Sequence, residues 1–430
     1  MKQVRILIFP CGSEVGLELR QALKDVSFIT LVGASSVPDH GQYVFEHYCE
    51  GLPFVQDPGF LAHFNALLQA QQIDFIYPAM DEVLDVLSAN REQLAAPLIA
   101  PCHEAVHSCR SKARTYARLD GLGFVPKTYD NPEQVVQFPV IIKPEEGYGS
   151  KGFFILHTRE ALRHKLAESQ TGNVICEYLQ GEEYTVDCFT DRHGVLKYTG
   201  CRNRNRIRNG ISVNSRLQKP DDAIAEIARQ ISVRIPMRGA WFFQLKRDAD
   251  DNYKLLEVAT RVAGTMCVQR AAGVNLPLLS VFDMMDYDVT LAPALDAVEV
   301  DRALYNAYRL PMTFDEVYLD FDDTIIVHDK VNLSLMRYLY QCVNQNISIK
   351  LVTKHDKDIY ATLKRYKITT ELFDEIIHIG REQRKCDFIR PGKNALFIDD
   401  SFAERKQMQE THAITALGVD AVEALLDYRQ

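Results

Sequence analysis

Residues 140–154 read VIIKPEEGYGSKGFF. Three β-branched residues run into Lys143, and Gly147, Gly149 and Gly152 follow within the next nine positions. A strand that opens directly into a glycine-bearing loop brings backbone N–H groups close to phosphate oxygens, while a lysine at its root neutralises them. Glycines also suit a plain hairpin turn, so the meaning of this stretch depends on its surroundings.

Upstream, VRILIF, PCGSEVG and LELRQALK read as strand, turn and helix, so the apolar N-terminal run is a first strand rather than the core of a signal peptide. LVGAS, LPFV and DFIYPA follow as short apolar strands, with HFNALLQAQQ as a helix between the last two. Strands alternating with helices predict a parallel, doubly wound sheet over about the first 100 residues. The turn holds Gly12 and Gly16 but not the full GxGxxG, which argues against a dinucleotide site. Cys102, His103, His107 and Cys109 lie in PCHEAVHSC, which reads as a loop entering a helix, because no second cluster completes a structural zinc site. Residues 112–127 read as a helix stopped by Gly123 and Pro126.

Downstream, GFFILH, VICEYL and EYTVDCFT are strands at short intervals, and the stretch from Tyr198 to Leu217 continues as a long strand or hairpin. DDAIAEIARQISVRI is a helix opened by Asp at its cap. WFFQLKRD and YKLLEVAT are again strands, and they carry Gln244 and Glu257, oxygen donors suited to Mg2+. Glu177 ends one strand, Glu183 follows it, and Arg261 stands just beyond the last.

In this order these residues resemble the ATP-grasp superfamily, specifically proteins similar to the carbamoyl-phosphate synthetase large chain, over roughly residues 1–295. The resemblance implies a Rossmann-like leading domain (1–108) and an ATP-grasp domain (109–295). It implies that Lys112 and Lys143 contact ATP phosphates under a loop containing Gly147, Gly149, Ser150 and Gly152. Glu177, Tyr178 and Leu179 would line the adenine, Glu183 would meet the ribose, and Gln244 and Glu257 would carry magnesium. Arg261 would stabilise the transferring phosphoryl group or an acyl phosphate. Such enzymes activate a carboxylate as an acyl phosphate, which an amine or similar nucleophile then displaces, and they often pair through the N-terminal region. One departure stands out. The family reads Glu-x-Asn-Pro-Arg where this chain reads Glu257-Val258-Ala259-Thr260-Arg261, and Ala259 offers no side-chain oxygen. Loss of one ligand weakens the second metal by about 1–3 kcal/mol if water fills the gap.

Arg202, Arg204, Arg206 and Arg208 alternate along the chain, which predicts four guanidinium groups on one strand face. A solvated basic face would give the same pattern, but like charges in a row repel, which favours an anionic partner, and guanidinium forks suit carboxylate and phosphate. These residues are read as a substrate anchor for a phosphorylated or polycarboxylate molecule.

A second cluster begins at residue 317, VYLDFDDTIIVHD, where an apolar strand ends in Asp320, Asp322 and Asp323. Carboxylates packed this closely require a cation among them. NISIKLVTK is a strand ending at Thr353, Lys385 opens KCDFIRP, and NALFIDDS ends at Asp399 and Asp400. Parallel strands converge at their C-terminal ends, which would gather a nucleophile, a hydroxyl, a cation and metal-binding acids. This set resembles the haloacid dehalogenase superfamily of phosphatases over about residues 315–430, after a connecting segment at 296–314. The resemblance implies that Asp320 attacks phosphorus, Asp322 serves as acid and then base, and Thr353 and Lys385 bind phosphoryl oxygens. Asp399, with Asp400, would hold Mg2+ alongside Asp320 and Asp322. Neither interval flanking Thr353 is long enough for a separate cap domain, so the first part of the chain is expected to cover this site.

The totals agree with a folded enzyme. The 430 residues are 47% hydrophobic and 25% charged with a formal net charge of −9, against a general nucleic-acid binder. No apolar run approaches a membrane span. Ten scattered cysteines without a CxxC pair suit a reducing cytoplasm. The expectation is a mixed α/β chain that binds ATP and Mg2+, joins small-molecule carboxylate and amine substrates, and removes phosphate from substrate or product. Two alternatives stand beside it: an ATP-binding sensor that gates the phosphatase, and a small-molecule kinase paired with one.

Overall fold

In the computed structural model, which describes residues 1–429 apart from 148–151, 170, 171, 209, 292, 309, 311 and 393, VRILIF forms β1 (Val4–Phe9). Ser13 then caps α1 (Glu14–Leu23), its side chain accepting from the Gly16 amide. β2 (Ile29–Ala34), β3 (His47–Cys49), α2 (Phe60–Ala70), β4 (Phe75–Pro78) and α3 (Asp81–Ala89) follow. The strands form a parallel sheet in the order β3-β2-β1-β4. β1 is nearly continuously apolar because both of its faces are covered. The expected strand at 52–55 is irregular, and β3 takes its place; Pro53 brings no N–H to a ladder. Both α1 and α3 start at the sheet's C-terminal edge, which places Glu14 and Asp81 there in first helical turns.

α4 (His103–Arg110) and α5 (Lys112–Arg118) follow, separated by Ser111, whose side chain caps α5. α5 is shorter than the sequence predicts, because Gly121 takes φ 80° and turns the chain out of the helix. A small antiparallel sheet contains β5 (Thr128–Tyr129), β6 (Val140–Pro144), β7 (Phe154–Leu156) and β8 (Asn173–Glu177) in the order β5-β8-β6-β7, with α6 (Arg159–Glu168) against it.

The large sheet has seven strands: β9 (Glu183–Thr190), β10 (Leu196–Asn203), β11 (Arg206–Arg208), β12 (Ile211–Gln218), β13 (Gly239–Arg247), β14 (Tyr253–Ala259) and β15 (Glu299–Asp301). Their order is β11-β12-β10-β9-β13-β14, with β15 on β12, so part of the expected connecting segment is a strand of this sheet. Trp241 and Phe243, both fully buried, face the apolar side of α7 (Asp222–Arg234), which Asp221 caps. α8 (Cys267–Ala271) and α9 (Leu276–Met284) complete this unit, Met1–Leu304.

The second unit, Tyr305–Gln430, is built on a parallel sheet. It contains β16 (Glu316–Leu319), the short hairpin β17 (Ile326–Val327) and β18 (Lys330–Val331), and α10 (Leu333–Asn344). β19 (Ser348–Thr353), α11 (Ile359–Arg365), β20 (Glu375–His378), β21 (Ala395–Ile398), α12 (Phe402–His412) and β22 (Thr415–Leu417) follow. The sheet order is β20-β19-β16-β21-β22. Among the described residues, the intervals flanking Thr353 hold one hairpin, two helices, a 3-10 turn and an edge strand, and no separate cap domain. No helix among the described residues is long and apolar enough to cross a membrane.

One buried ion pair braces the large sheet. Arg202 on β10 is 2% exposed, and its Nε donates to Asp187 Oδ2 on β9 at 2.8 Å. Gln269 Nε2 donates to the same oxygen at 3.1 Å. Arg202→Ala leaves the Asp187 carboxylate buried without its cation, so urea unfolding should report a loss of about 3–5 kcal/mol. A loss under about 1 kcal/mol, typical of an exposed pair, would contradict this account.

Candidate functional site

β6 delivers Lys143 to the space between the small and large sheets. Its ammonium is buried and donates to Tyr116 Oη at 2.8 Å and to the Leu256 carbonyl at 3.3 Å. Around it lies a slot of about 290 Å³ lined by Ile141, Ile155, Tyr178, Leu179 and Leu256, with Glu183 and Lys246 at its polar end. Lys246 Nζ is 3.1 Å from Glu183 Oε1. The slot meets a larger chamber of about 760 Å³, and Lys112, Gly147, Arg204, Gln244 and Glu257 line both. Gln244 and Glu257 are register partners on β13 and β14. Lys112 Nζ lies 4.0 Å from Glu257 Oε2, and burial lowers its pKa while Glu257 works against that. Gly152 sits at φ 73°, and a Cβ there would meet Pro144 Cγ at 2.7 Å, so the loop returns to β7 only through glycine.

Several expected residues lie elsewhere or act differently. Glu177 accepts from the Lys127 amide at 2.8 Å and is not among the slot's lining residues. Gly149 and Ser150 lie outside the described residues. The four arginines do not share a strand face, because β10 closes at Asn203 with the Arg204 amide donating to the Glu183 carbonyl, and β11 begins at Arg206. Arg202 turns inward to Asp187, and Arg204 reaches Glu183 at 3.5 Å and Gln244. Arg206 pairs with Asp301 at 2.8 Å, while Arg208 ends β11 exposed. Carboxylates of the chain itself thus relieve the repulsion that suggested an external anion for three of the four. Arg261 is held by Asp81 through Nε–Oδ1 at 2.8 Å and Nη2–Oδ2 at 2.7 Å. Burial acts against both charges, yet their pairing prevails and pulls the Asp81 pKa below its ordinary value.

An apolar slot ending in buried lysines, between two antiparallel sheets and behind a parallel one, has counterparts among solved structures. The complex of biotin carboxylase from Campylobacter jejuni with β,γ-ATP superposes with a TM-score of 0.57 at 16% identity, over 67% of this chain and 72% of that one. The chain carries the ATP-grasp fold. An L-amino acid ligase from Bacillus licheniformis superposes with a TM-score of 0.53 at 15% identity, over 65% of this chain and 74% of the other. Residues 170–303 match the family described as "ATP-grasp in the biosynthetic pathway with Ter operon". A D-alanine–D-alanine ligase from Fusobacterium nucleatum is 33% identical over 119 residues, 27% of this chain and 38% of the relative's length. ATP and Mg2+ are the cofactors of ATP-grasp enzymes. Ala259 lines the large chamber.

The family match ends before the second unit, whose site is described by its own geometry. β16 pairs in parallel with β19 and β21, so Asp320, Thr353 and Asp399 emerge at one sheet edge. Lys385, 3% exposed, is 2.9 Å from Asp320 Oδ1 and 2.6 Å from Asp399 Oδ2. Asp320, Asp399 and Asp400 each bring an oxygen within 4.8 Å of the others. Burial, reinforced by Asp399 and opposed by Lys385, raises the Asp320 carboxyl to about 6. Three converging carboxylates with one lysine between two of them fit a hard divalent cation. Asp322, expected among the metal ligands, is not a member of this group and meets His355 Nδ1 at 2.9 Å instead. The His355 amide donates to Thr353 Oγ1 at 3.2 Å, and its Nε2 faces Thr362 Oγ1 at 3.0 Å.

Sequence reasoning did not single out Tyr116, Asp81, Glu14 or His355. Only His355 carried a local signal, since it stands two residues past Thr353 at the same strand end.

The raised Asp320 pKa has a signed consequence. The folded protein holds that proton more tightly than the unfolded chain, so the stability involved is fully present below the ordinary carboxyl pKa and is lost as pH rises through about 6. In EDTA at neutral pH, Asp320→Asn should therefore raise the stability of the second unit by on the order of 1–3 kcal/mol, with the gain vanishing near pH 4. Thermal unfolding across that range checks it; a pH-independent difference would contradict the assignment.

Proposed function

We propose that the first unit is an ATP-dependent ligase that activates a carboxylate as an acyl phosphate and joins it to an amine, and that the second is a Mg2+-dependent phosphatase. The observation that carries the ligase reading is the junction of the two cavities at Lys112, Gln244 and Glu257. The apolar slot suits adenine stacked among Ile141, Leu179 and Leu256, with Lys143 and Lys112 at its phosphate end. The chamber beyond is large enough for two small substrates. The two relatives named as ligases, for D-alanine and for L-amino acids, support a carboxylate and an amine as those substrates.

In this reading a carboxylate oxygen attacks the γ-phosphorus and ADP leaves. The amine nitrogen then attacks the acyl carbon, and phosphate leaves with the electron pair of the C–O bond. Glu257 and Gln244 would hold Mg2+, which draws charge from the phosphate oxygens. Lys112 and Lys143 neutralise the remainder. Arg202 and Arg204 line the chamber, and Arg204 also lines the slot.

In the second unit, Asp320 would attack phosphorus while Lys385 and Thr353 hold phosphoryl oxygens. Asp322 would protonate the leaving oxygen and then take a proton from water, with His355 fixing its carboxylate. Asp399 and Asp400 with Asp320 would hold Mg2+, which offsets the negative charge of nucleophile and phosphate. The phosphatase would act on the ligated product or its precursor, making the sequence irreversible. Ala259 favours one other reading, in which the first unit binds ATP without turnover and regulates the second.

Two variants separate these roles. Asp320→Asn should reduce phosphatase activity by about 10³-fold or more and leave ADP formation intact, and Lys143→Ala should do the reverse. With Mg-ATP and a metabolite extract, mass spectrometry of the Asp320→Asn reaction should show a ligated species that wild type converts to one lighter by a phosphate. Absence of ADP formation under every condition, with ATP still stimulating the phosphatase, would replace the ligase by the sensor.

A further inference from the structure

Outside both sites, helices α3 and α4 bring together Asp85, His103 and His107. The histidines are four residues apart on α4 and share a face, and Asp85 meets them from the neighbouring helix. One ligand atom from each lies within 4.8 Å of the other two. His107 Nδ1 is 3.9 Å from Asp85 Oδ1, and the two imidazole centroids are 5.4 Å apart.

Two further observations point to an ion at this place. Asp85 Oδ1 is a buried atom without a hydrogen-bond donor, although the side chain as a whole is half-exposed and lies beside two exposed histidines. A carboxylate oxygen in that state is unfavourable unless a positive group meets it. The Ser88 hydroxyl lies 3.0 Å from both the Asp85 carbonyl and His103 Nδ1, and it can serve both at once only by donating to the carbonyl and accepting from a protonated Nδ1. That arrangement leaves Nε2 with the free lone pair a metal requires.

We propose that Asp85, His103 and His107 form a site for a borderline divalent transition-metal ion of the zinc class. Two imidazoles and one carboxylate match that class better than Mg2+, which takes oxygen donors. Water completes the coordination. Bonds of about 2.0–2.2 Å to each ligand need the donor atoms roughly 3.3 Å apart, a contraction that rotation of two exposed histidine side chains supplies. The flanking Cys102 and Cys109 are not members of the site, and Cys109 faces the large chamber instead. The ion clamps α3 to α4. One turn before Asp85, α3 begins with Asp81 in the chamber wall, and α4 ends there with Arg110, so occupancy stiffens that wall.

The test is equilibrium dialysis of the full chain against ZnCl2, with excess Mg2+ to fill the carboxylate sites and a phosphine reductant to protect thiols. Wild type should bind one zinc that the double variant His103→Asn/His107→Asn and Asp85→Asn each lose. Ser88→Ala should weaken binding by about 10–100-fold, since it orients the ligand without touching the ion. Substituted Co2+ should give a visible d–d band without thiolate charge transfer. Zinc should raise the Tm of wild type and leave the double variant unchanged, each having the same Tm in EDTA. No zinc bound by wild type, equal binding by the histidine variant, or loss on Cys102→Ser instead would overturn the assignment.

Discussion

Three arginines that follow the large sheet, Arg261, Arg270 and Arg302, each meet a carboxylate of the N-terminal helices: Asp81, Glu18 and Glu14. These pairs hold the parallel sheet against the antiparallel one and so create the chamber between them. The Arg261–Asp81 and Arg270–Glu18 contacts are forked and so fix orientation as well as distance. They also settle which cations remain for a nucleotide. With the three arginines committed, Lys112, Lys143, Arg204 and Lys246 are the positive groups that line the slot among the described residues. Burial raises the Glu18 carboxyl to about 7, with Arg270 and Arg302 opposing it, so this contact contains a group that titrates near neutrality.

The second unit solves a different electrostatic problem. Parallel register brings strand-end acids together, and the fold places the buried Lys385 between two of them. One lysine does not balance three carboxylates, and burial, with Asp399 adding to it, raises the Asp320 pKa against the pull of Lys385. A site with surplus negative charge around one buried lysine suits a divalent ion.

Much of this was legible in the chain. The strand Val140–Pro144 with Lys143 at its end, the pairing of Gln244 with Glu257, and the convergence of Asp320, Thr353 and Asp399 follow from patterns of period two and from strand ends that share an edge. What the sequence hid were partners distant in the chain. Asp81 and Arg261 are 180 residues apart, and no local pattern announces their pairing. The arginine alternation misled for the same reason: period two holds only while the chain stays extended, and it leaves the strand at Arg204. The histidines of α4 looked incomplete because their third partner stands on another helix.

The central claim is that the first unit uses ATP to activate a carboxylate, and hydroxylamine trapping tests it most directly. The protein is incubated with Mg-ATP, a pool of small carboxylates including amino acids, and hydroxylamine in place of the amine. The account predicts ADP and a hydroxamate in equal amounts, both abolished by Lys143→Ala. ADP without hydroxamate, or cleavage of ATP to AMP, would contradict it.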